Sequence, residues 1–258
     1  MLCLMPFVSA SATEKKAVKN KSIDIEYETA DNFLISATLT YPKEKGKVFP
    51  VVVLLHSIGA SSADWGAIPQ KFNEAGFAVL NVDLRGHGKS IYNVNLDKKY
   101  WQNMSLKAFS KNPKDITGLL NYVKEEHKNI SFSNYIIMGA DLGANTGILT
   151  AQKMKTKPFA LVLISPQTTF KGLYVPVALA DLTSSDVLFV YSKQDANTIK
   201  EINTLKRFAQ KQVTDIVCQA GGSGLNLIKT NPKSVYEIVN WCVKECNNYL
   251  DTFTQKSN

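Results

Sequence analysis

An aspartate between two glycines is the feature of this sequence best placed to do chemistry. Asp141 is the centre of a Gly-x-Asp-x-Gly segment that separates the apolar run Tyr135–Met138 from a helical pattern at Ala144–Lys153. This spacing predicts a strand, a sharp turn and a helix, with Asp141 at the tip of the turn. The helix dipole and free N–H groups stabilise an anion there by roughly 0.3–2 kcal/mol. We therefore expect a fixed carboxylate that faces a pocket.

Apolar runs alternate with helical patterns along the rest of the chain. The predicted strands are Ser22–Thr29, Phe33–Tyr41, Val51–Leu55, Phe77–Val82, Tyr135–Met138, Ala160–Ile164, Val187–Tyr191 and Thr214–Cys218. The predicted helices are Ala63–Ala75, Pro113–Glu126, Ala144–Lys153, Thr198–Gln212 and Ser234–Phe253. The first two strands read as a hairpin, and the later alternation indicates a mainly parallel sheet with helices on both faces. The longest connections, 85–106 and 167–186, are too short for an elaborate lid domain.

Three motifs follow consecutive predicted strands. They are Leu54-Leu55-His56-Ser57-Ile58-Gly59, Asp83-Leu84-Arg85-Gly86-His87-Gly88-Lys89-Ser90 and Gly139-Ala140-Asp141-Leu142-Gly143-Ala144-Asn145. In this order they resemble the oxyanion loop, the Asp-x-Arg-Gly-His-Gly-x-Ser segment and the nucleophile elbow of the α/β-hydrolase superfamily, closest to bacterial dienelactone-hydrolase-like and serine-aminopeptidase-like members. The resemblance covers about Ser22 to Leu250. It implies one α/β-hydrolase domain at 22–258, with about eight mostly parallel strands and no large lid.

The same resemblance implies a degenerate catalytic triad. Asp141 stands where the family has its nucleophilic serine, and Ser223 stands where the family has its histidine base. The family's acid maps onto Asp195, and its oxyanion donors map onto the backbone N–H groups of Ile58 and Leu142. A serine hydroxyl has no proton affinity near neutral pH, so Ser223 is unable to serve as the general base.

Three histidines are candidates to replace that base. His56 lies in the oxyanion loop, His87 in the turn after the fourth strand and His127 at the polar end of a helix. We expect structural roles for all three, and His87 is the best placed to reach the site through a mobile loop. Ser57 replaces a family glycine in the oxyanion loop, so the backbone conformation of that loop is less predictable.

Three functions are compatible with these residues. The first is a non-catalytic hydrolase homologue, a binding or scaffold protein with a small molecule as the expected ligand, because two triad positions differ at once. The second is an unorthodox hydrolase of ester, amide or alkyl substrates, with Asp141 as nucleophile in the manner of haloalkane dehalogenases and epoxide hydrolases. The third is a serine hydrolase with displaced residues, which would need a serine such as Ser165 or Ser223 beside a histidine. We favour the first over the second, and the third least.

Composition limits the partners of the chain. Thirty Lys+Arg against 22 Asp+Glu give a net charge of +8, but the lysines are scattered, so we expect no nucleic-acid site. After residue 12 no segment approaches the roughly 18 consecutive apolar residues of a membrane span. Cys242 and Cys246 share the apolar side of a helical pattern, which favours packing over a disulfide or metal site. No cofactor or metal is expected, and the sequence makes no prediction of oligomeric state.

The N-terminal segment resembles an export signal. Residues 1–12 contain the apolar run Leu2–Val8 and then Ala10-Ser11-Ala12, a small-x-small pattern. Against this resemblance, the segment is shorter than a usual signal and has no positively charged start, so it is either a truncated signal peptide, which we favour, or a frayed apolar terminus. We expect export to the periplasm or outside the cell, with a cytoplasmic location as the alternative, and a basic leader at 13–21.

Overall fold

An eight-stranded sheet forms the centre of the molecule. The computed structural model describes residues 21–44 and 47–256, with side chains through Asp251, so the predicted signal segment and nearly all of the basic leader lie outside the described residues. The strands are β1 (Ser22–Glu28), β2 (Leu34–Thr40), β3 (Phe49–Leu55), β4 (Ala78–Val82), β5 (Ile130–Ala140), β6 (Ala160–Ile164), β7 (Thr169–Phe170), β8 (Leu173–Tyr174), β9 (Asp186–Ser192) and β10 (Val213–Cys218).

The strand order confirms the predicted sheet. The strands are arranged as β1-β2-β4-β3-β5-β6-β9-β10, and β7 pairs only with β8 in a separate small hairpin. β1 and β2 form an antiparallel hairpin, β2 runs antiparallel to β4, and all other pairs in the main sheet are parallel. Parallel neighbours bring the carboxyl ends of β3, β5, β6 and β9 to one edge, where ligands bind in open α/β sheets.

Helices cover both faces of this sheet. They are α1 (Ile68–Glu74), α2 (Leu106–Phe109), α3 (Asn112–Glu126), α4 (Leu142–Lys153), α5 (Pro176–Ala180), α6 (Ala196–Leu205), α7 (Gly224–Thr230) and α8 (Pro232–Lys256), with 3₁₀ turns at Ser62–Trp65 and Trp101–Asn103. None of these described helices is long and apolar enough to cross a membrane.

The alternation of side chains along β3 explains the two layers of helices. Val51, Val53 and Leu55 point into a core shared with α3 and α4. Val52 and Leu54 point into a second core shared with α1 and α8. A strand that is apolar on both faces must be covered on both, as the continuous apolar run predicts.

Two helices and two strands differ from the sequence prediction, and one of these strands, β5, begins at Ile130 instead of the predicted Tyr135. The predicted helix Ala63–Ala75 is interrupted because Gly66 adopts φ 56°, which separates the 3₁₀ turn from α1. The helix predicted to reach residue 212 ends at Leu205, where the chain turns so that Phe208 packs against the core. β10 was expected to be buried on both faces, but it is an edge strand, and Val217 is 41% exposed.

The connections above the carboxyl edge are compact, as predicted. The connection 85–106 contains the 3₁₀ turn Trp101–Asn103 and ends where α2 begins, and the connection 167–186 contains the β7–β8 hairpin and α5. Asn145 in the first turn of α4 secures the hairpin. Its Nδ2 donates to the carbonyls of Gln167 (2.8 Å) and Leu173 (3.0 Å), and its Oδ1 accepts from the Gln167 N–H (3.1 Å). These bonds hold the segment that forms one wall of the candidate site.

Candidate functional site

Asp141 lies at the tip of a tight elbow between β5 and α4. Its backbone has φ 53° and ψ −112°, a conformation that costs a non-glycine residue about 1–3 kcal/mol. The two flanking glycines allow β5 and α4 to approach each other closely and allow α4 to pack against the end of β3. A Cβ at Gly139 would lie 2.3 Å from the Gly143 carbonyl oxygen, and a Cβ at Gly143 would lie 1.9 Å from the Leu55 carbonyl oxygen. The glycine spacing is therefore a steric requirement of the elbow.

The Asp141 carboxylate is largely desolvated. Burial raises its pKa to about 6, against the opposing influence of the Leu142 N–H, the positive charge of Lys171 and the Ile58 N–H. The Asp141 side chain makes no capping hydrogen bond to α4, and its Oδ1 is buried without a hydrogen-bond partner among the described residues. The two N–H groups predicted as an oxyanion hole thus act on a carboxylate that belongs to the protein itself.

A cavity of about 580 Å³ opens beside this carboxylate. Its lining residues are Asp141, Ser165, Gln167, Phe170, Asp195, Asn197, Thr198, Lys200, Glu201 and Ser223. Asp141, Asp195 and Ser223, which are far apart in the sequence, therefore meet at one cavity. The lining is mainly polar, and the volume is in the range of small-molecule sites.

Asp195 caps the helix that forms another wall of this cavity. Its Oδ1 accepts from the Thr198 N–H at 3.0 Å, and its Oδ2 accepts from the Thr198 hydroxyl at 2.6 Å. Both carboxylate oxygens thus accept hydrogen bonds from the first turn of α6. Ser223 is exposed at the start of α7, and its hydroxyl makes no capping hydrogen bond there.

His56 is fixed inside the oxyanion loop. Its Nε2 accepts from the Leu84 N–H at 2.9 Å, so Nδ1 carries the proton and donates to the Ser57 carbonyl at 2.7 Å. Burial lowers the pKa of His56 to about 4. The ring is therefore neutral, and both of its nitrogens are already used.

The other two histidines have contacts of their own. The His87 ring stacks on Trp101 at 5.6 Å, its Nδ1 lies 3.0 Å from the Arg85 carbonyl, and burial lowers its pKa. His127 lies at the end of α3, with Nδ1 3.5 Å from the Tyr41 hydroxyl. All three histidines are within the described chain, and none lines the cavity beside Asp141.

The motif after β4 organises loops and does not reach this cavity. Asp83 Oδ1 accepts from the Ser62 N–H (2.6 Å) and its Oδ2 accepts from the Lys89 N–H (2.8 Å). Arg85 Nε donates to Asp115 (2.7 Å) and its Nη2 to Asp31 (2.8 Å). Asp31 lines two further cavities, of about 340 and 430 Å³, and Asp141 lines neither.

Sequence reasoning missed three contributors to the site. Ser57 and Ser165 accept hydrogen bonds from the first turn of α7, and Lys171 acts electrostatically on Asp141. The sequence had singled out Ser57 only as the replacement of a family glycine and Ser165 only as a possible displaced nucleophile, and it gave no sign of these hydrogen bonds or of the role of Lys171. Among the described residues, no group of three or more His, Cys, Asp or Glu side chains is placed to hold a metal ion.

Comparison with known proteins identifies relatives of this fold. The family model described as Serine aminopeptidase, S33 matches residues 46–213, more than half of the chain. No curated protein matches the sequence.

Solved structures show the same architecture. Dienelactone hydrolase from Anabaena variabilis ATCC 29413 is similar with a TM-score of 0.65 and 14% identity, over 87% of this chain and 96% of the other. A thermostable carboxyl esterase from Bacillus coagulans has a TM-score of 0.67 and 13% identity, over 87% and 99%. An esterase from Pyrococcus furiosus has a TM-score of 0.66 and 18% identity, over 93% and 96%. Identities this low establish the fold alone.

Proposed function

Because the chain belongs to the serine aminopeptidase (S33) family and has the α/β-hydrolase fold, we propose that it is a non-catalytic member that binds a small molecule beside Asp141. One observation carries this proposal. The tip of the elbow, from which a serine hydroxyl would attack, presents a partly desolvated carboxylate with an unused oxygen. A group of this kind is an acceptor for a ligand's hydrogen-bond donor, and a hydroxyl nucleophile is absent at this position.

The neighbouring residues support the same function. Acyl transfer needs a base that removes a proton from the nucleophile and later activates water. Ser223 offers only a hydroxyl at the position of the family's base, so Asp195 has no imidazole to orient. The nitrogens of His56 are engaged elsewhere, and His87 stacks on Trp101. No imidazole of the described chain therefore lines this cavity to serve as the base at Asp141.

The ligand we propose is small and polar. The cavity of about 580 Å³ is lined by carboxylates, amides, hydroxyls and the Lys200 side chain, and Phe170 is its one aromatic lining residue among those described. A long acyl chain would leave these polar groups without water or partners, which is unfavourable. A compact molecule with several hydrogen-bond donors would satisfy them.

Esterase assays test the proposal directly. The purified protein should not hydrolyse short-chain activated esters, and it should not be labelled by a fluorophosphonate, because position 141 holds no activated hydroxyl. The matched control is Asp141→Ser, which restores the hydroxyl alone. Hydrolysis by the unmodified protein that survives Asp141→Ala would overturn the proposal and indicate a different active site.

The strained elbow favours a second candidate, in which Asp141 is a nucleophile. The protein keeps φ 53° at a non-glycine residue, and such strain is common where a side chain must be aimed at a substrate. In this reaction a carboxylate oxygen attacks carbon and forms an ester, while a halide ion leaves or, for an epoxide, the ring C–O bond breaks and its oxygen takes a proton from water. Without a base to activate water, the ester would persist, so an alkyl halide or epoxide should add one stable mass adduct, absent in Asp141→Asn. An adduct located on Asp141 and lost in Asp141→Ala would establish this candidate over the first.

We also propose that 22–258 is one structural unit. The sheet runs without interruption from β1 to β10, and α8 packs back on β5 and β6. Export directed by residues 1–12 stays a prediction from the sequence.

A further inference from the structure

The first turn of α7 is capped by residues from two distant loops. The Leu225 N–H donates to Ser57 Oγ at 3.0 Å, and the Gly224 N–H donates to Ser165 Oγ at 3.0 Å. Ser57 follows β3 and Ser165 follows β6, whereas the residue that precedes the helix, Ser223, supplies no capping bond. The free N–H groups at a helix start need such acceptors, and here tertiary contacts provide them.

These two hydrogen bonds bring α7 against the elbow. Gly224 has φ 54°, and a Cβ there would lie 2.3 Å from Ser57 Oγ and 3.2 Å from the Asp141 Cβ. Ser57 is 8% exposed and Ser165 is 3% exposed, so water does not compete well for their hydroxyls. The backbone at 224 therefore fills the space immediately beside Asp141.

We propose that Ser57 and Ser165 are positioning residues whose hydroxyls form a two-point latch, holding the first turn of α7 against Asp141 and closing that side of the cavity to water and ligand. The inference rests on the proposed function only in treating Asp141 as the group that meets the ligand. A ligand then reaches this carboxylate from the side lined by Asp195 and Glu201.

The backbone of Ser165 gives separate support. Ser165 has φ 50°, a left-handed conformation that few residues other than glycine adopt, and it is buried. A strained backbone conformation persists only where the surrounding structure enforces it. At Ser165 this conformation places the hydroxyl where it accepts from the Gly224 N–H. The latch also gives a role to Ser57, because the family's glycine would offer no side-chain acceptor to Leu225.

The raised pKa of Asp141 agrees with a cavity that is closed on the side of α7. Burial is the largest cause of its raised pKa, ahead of the opposing Leu142 N–H and Lys171 charge. Lys200, Glu201 and Asp195 are the other charged groups that line the cavity. Water between α7 and the elbow would reduce the burial of Asp141 and so lower its pKa, while these three charged side chains stay where they are.

Hydrogen exchange of two named amides tests the latch. In Ser57→Ala the Leu225 amide should exchange about 3- to 30-fold faster, and in Ser165→Ala the Gly224 amide should respond in the same way. The matched control is Ser234→Ala, which removes a buried hydroxyl that donates to the Asn231 carbonyl at the other end of α7. That variant should leave both amides unchanged.

A titration of Asp141 separates a latch from simple loss of stability. In Ser57→Ala/Ser165→Ala the pKa of Asp141, followed by carboxyl carbon NMR, should fall from about 6 toward its ordinary value of 3.8, while Ser234→Ala leaves it in place. Ser57→Gly provides a second test if the alanine variants fold poorly. Unchanged exchange at both amides, or an unchanged Asp141 titration, would overturn the latch. Esterase and adduct assays judge the proposed function independently of this result.

Discussion

At the scale of the single residue, a carboxylate at position 141 changes what the surrounding dipoles can do. N–H groups aimed at an elbow are useful to an esterase because they stabilise charge that appears only in the transition state. Here the N–H groups of Ile58 and Leu142 act on a charge that is already present when Asp141 is ionised. A substrate oxyanion beside Asp141 would be repelled by it, whereas a hydrogen-bond donor would be attracted.

The raised pKa of Asp141 predicts a pH-dependent stability. Because the folded-state pKa of about 6 exceeds the ordinary 3.8, the protonated form favours folding. This contribution is complete below about pH 4 and is lost as the pH rises through 6. Asp141→Asn mimics the protonated side chain, so it should raise the free energy of unfolding at pH 8 by about 1–3 kcal/mol and leave it nearly unchanged at pH 4.

Urea unfolding at the two pH values measures this effect. Asp251→Asn, which neutralises an exposed aspartate on α8, is the matched control and should show no such difference between pH 4 and pH 8. An equal stabilisation by Asp141→Asn at both values would mean that burial does not disfavour the ionised carboxylate.

At the scale of elements, the site is assembled from the ends of strands. The loops after β3, β5, β6 and β9 each deliver a residue to the region of Asp141, because parallel strands end at one edge of the sheet. Asp195 illustrates a double use of such a loop: it lines the cavity and also caps α6 through Thr198.

Removing that cap predicts a measurable loss of stability. Asp195→Ala should lower the free energy of unfolding by about 0.5–2 kcal/mol, because the Thr198 N–H loses its acceptor. Asp195→Asn keeps a capping oxygen and should cost less than about 0.5 kcal/mol. Chemical denaturation of both variants gives the comparison, and equal losses would show that the charge of Asp195, and not its cap, contributes the stability.

The elements that the sequence predicted are those with their own periodicity. The eight strands of the main sheet, the elbow and α8 follow from apolar runs and glycine spacing in the local sequence. The short elements α5, α7 and the β7–β8 hairpin carry too few residues for a periodic signal. They are held by side chains distant in the sequence, such as Asn145 for the hairpin and Ser57 for α7. The order of the motifs along the sequence predicted that Asp195 and Ser223 reach one cavity. It contained no information on the hydrogen bonds that hold the short elements in place.

At the scale of the whole molecule, the fold is shared far more widely than any activity. Structures with 13–18% identity superpose with TM-scores of 0.65–0.67, although so few residues are common. The sheet requires only apolar segments with the right order and length, and many sequences meet that condition. Function depends on a few side chains at the carboxyl edge, so the fold of this chain does not determine its chemistry.

If the scaffold is intact, restoring two side chains should create a weak esterase. Asp141→Ser with Ser223→His places a hydroxyl at the elbow and an imidazole in the loop that lines the same cavity. Asp195 can still accept a bond from that imidazole, because a carboxylate has about four acceptor sites and Thr198 uses only two. General-base catalysis contributes typically 10²–10⁴-fold, and imperfect alignment reduces this gain, so we expect at least about a tenfold rise in ester hydrolysis over either single variant. Fluorophosphonate labelling should appear together with this activity, and Asp195→Asn in the double variant should lower it. A double variant no more active than Asp141→Ser would show that position 223 does not align with the elbow as the family's base does.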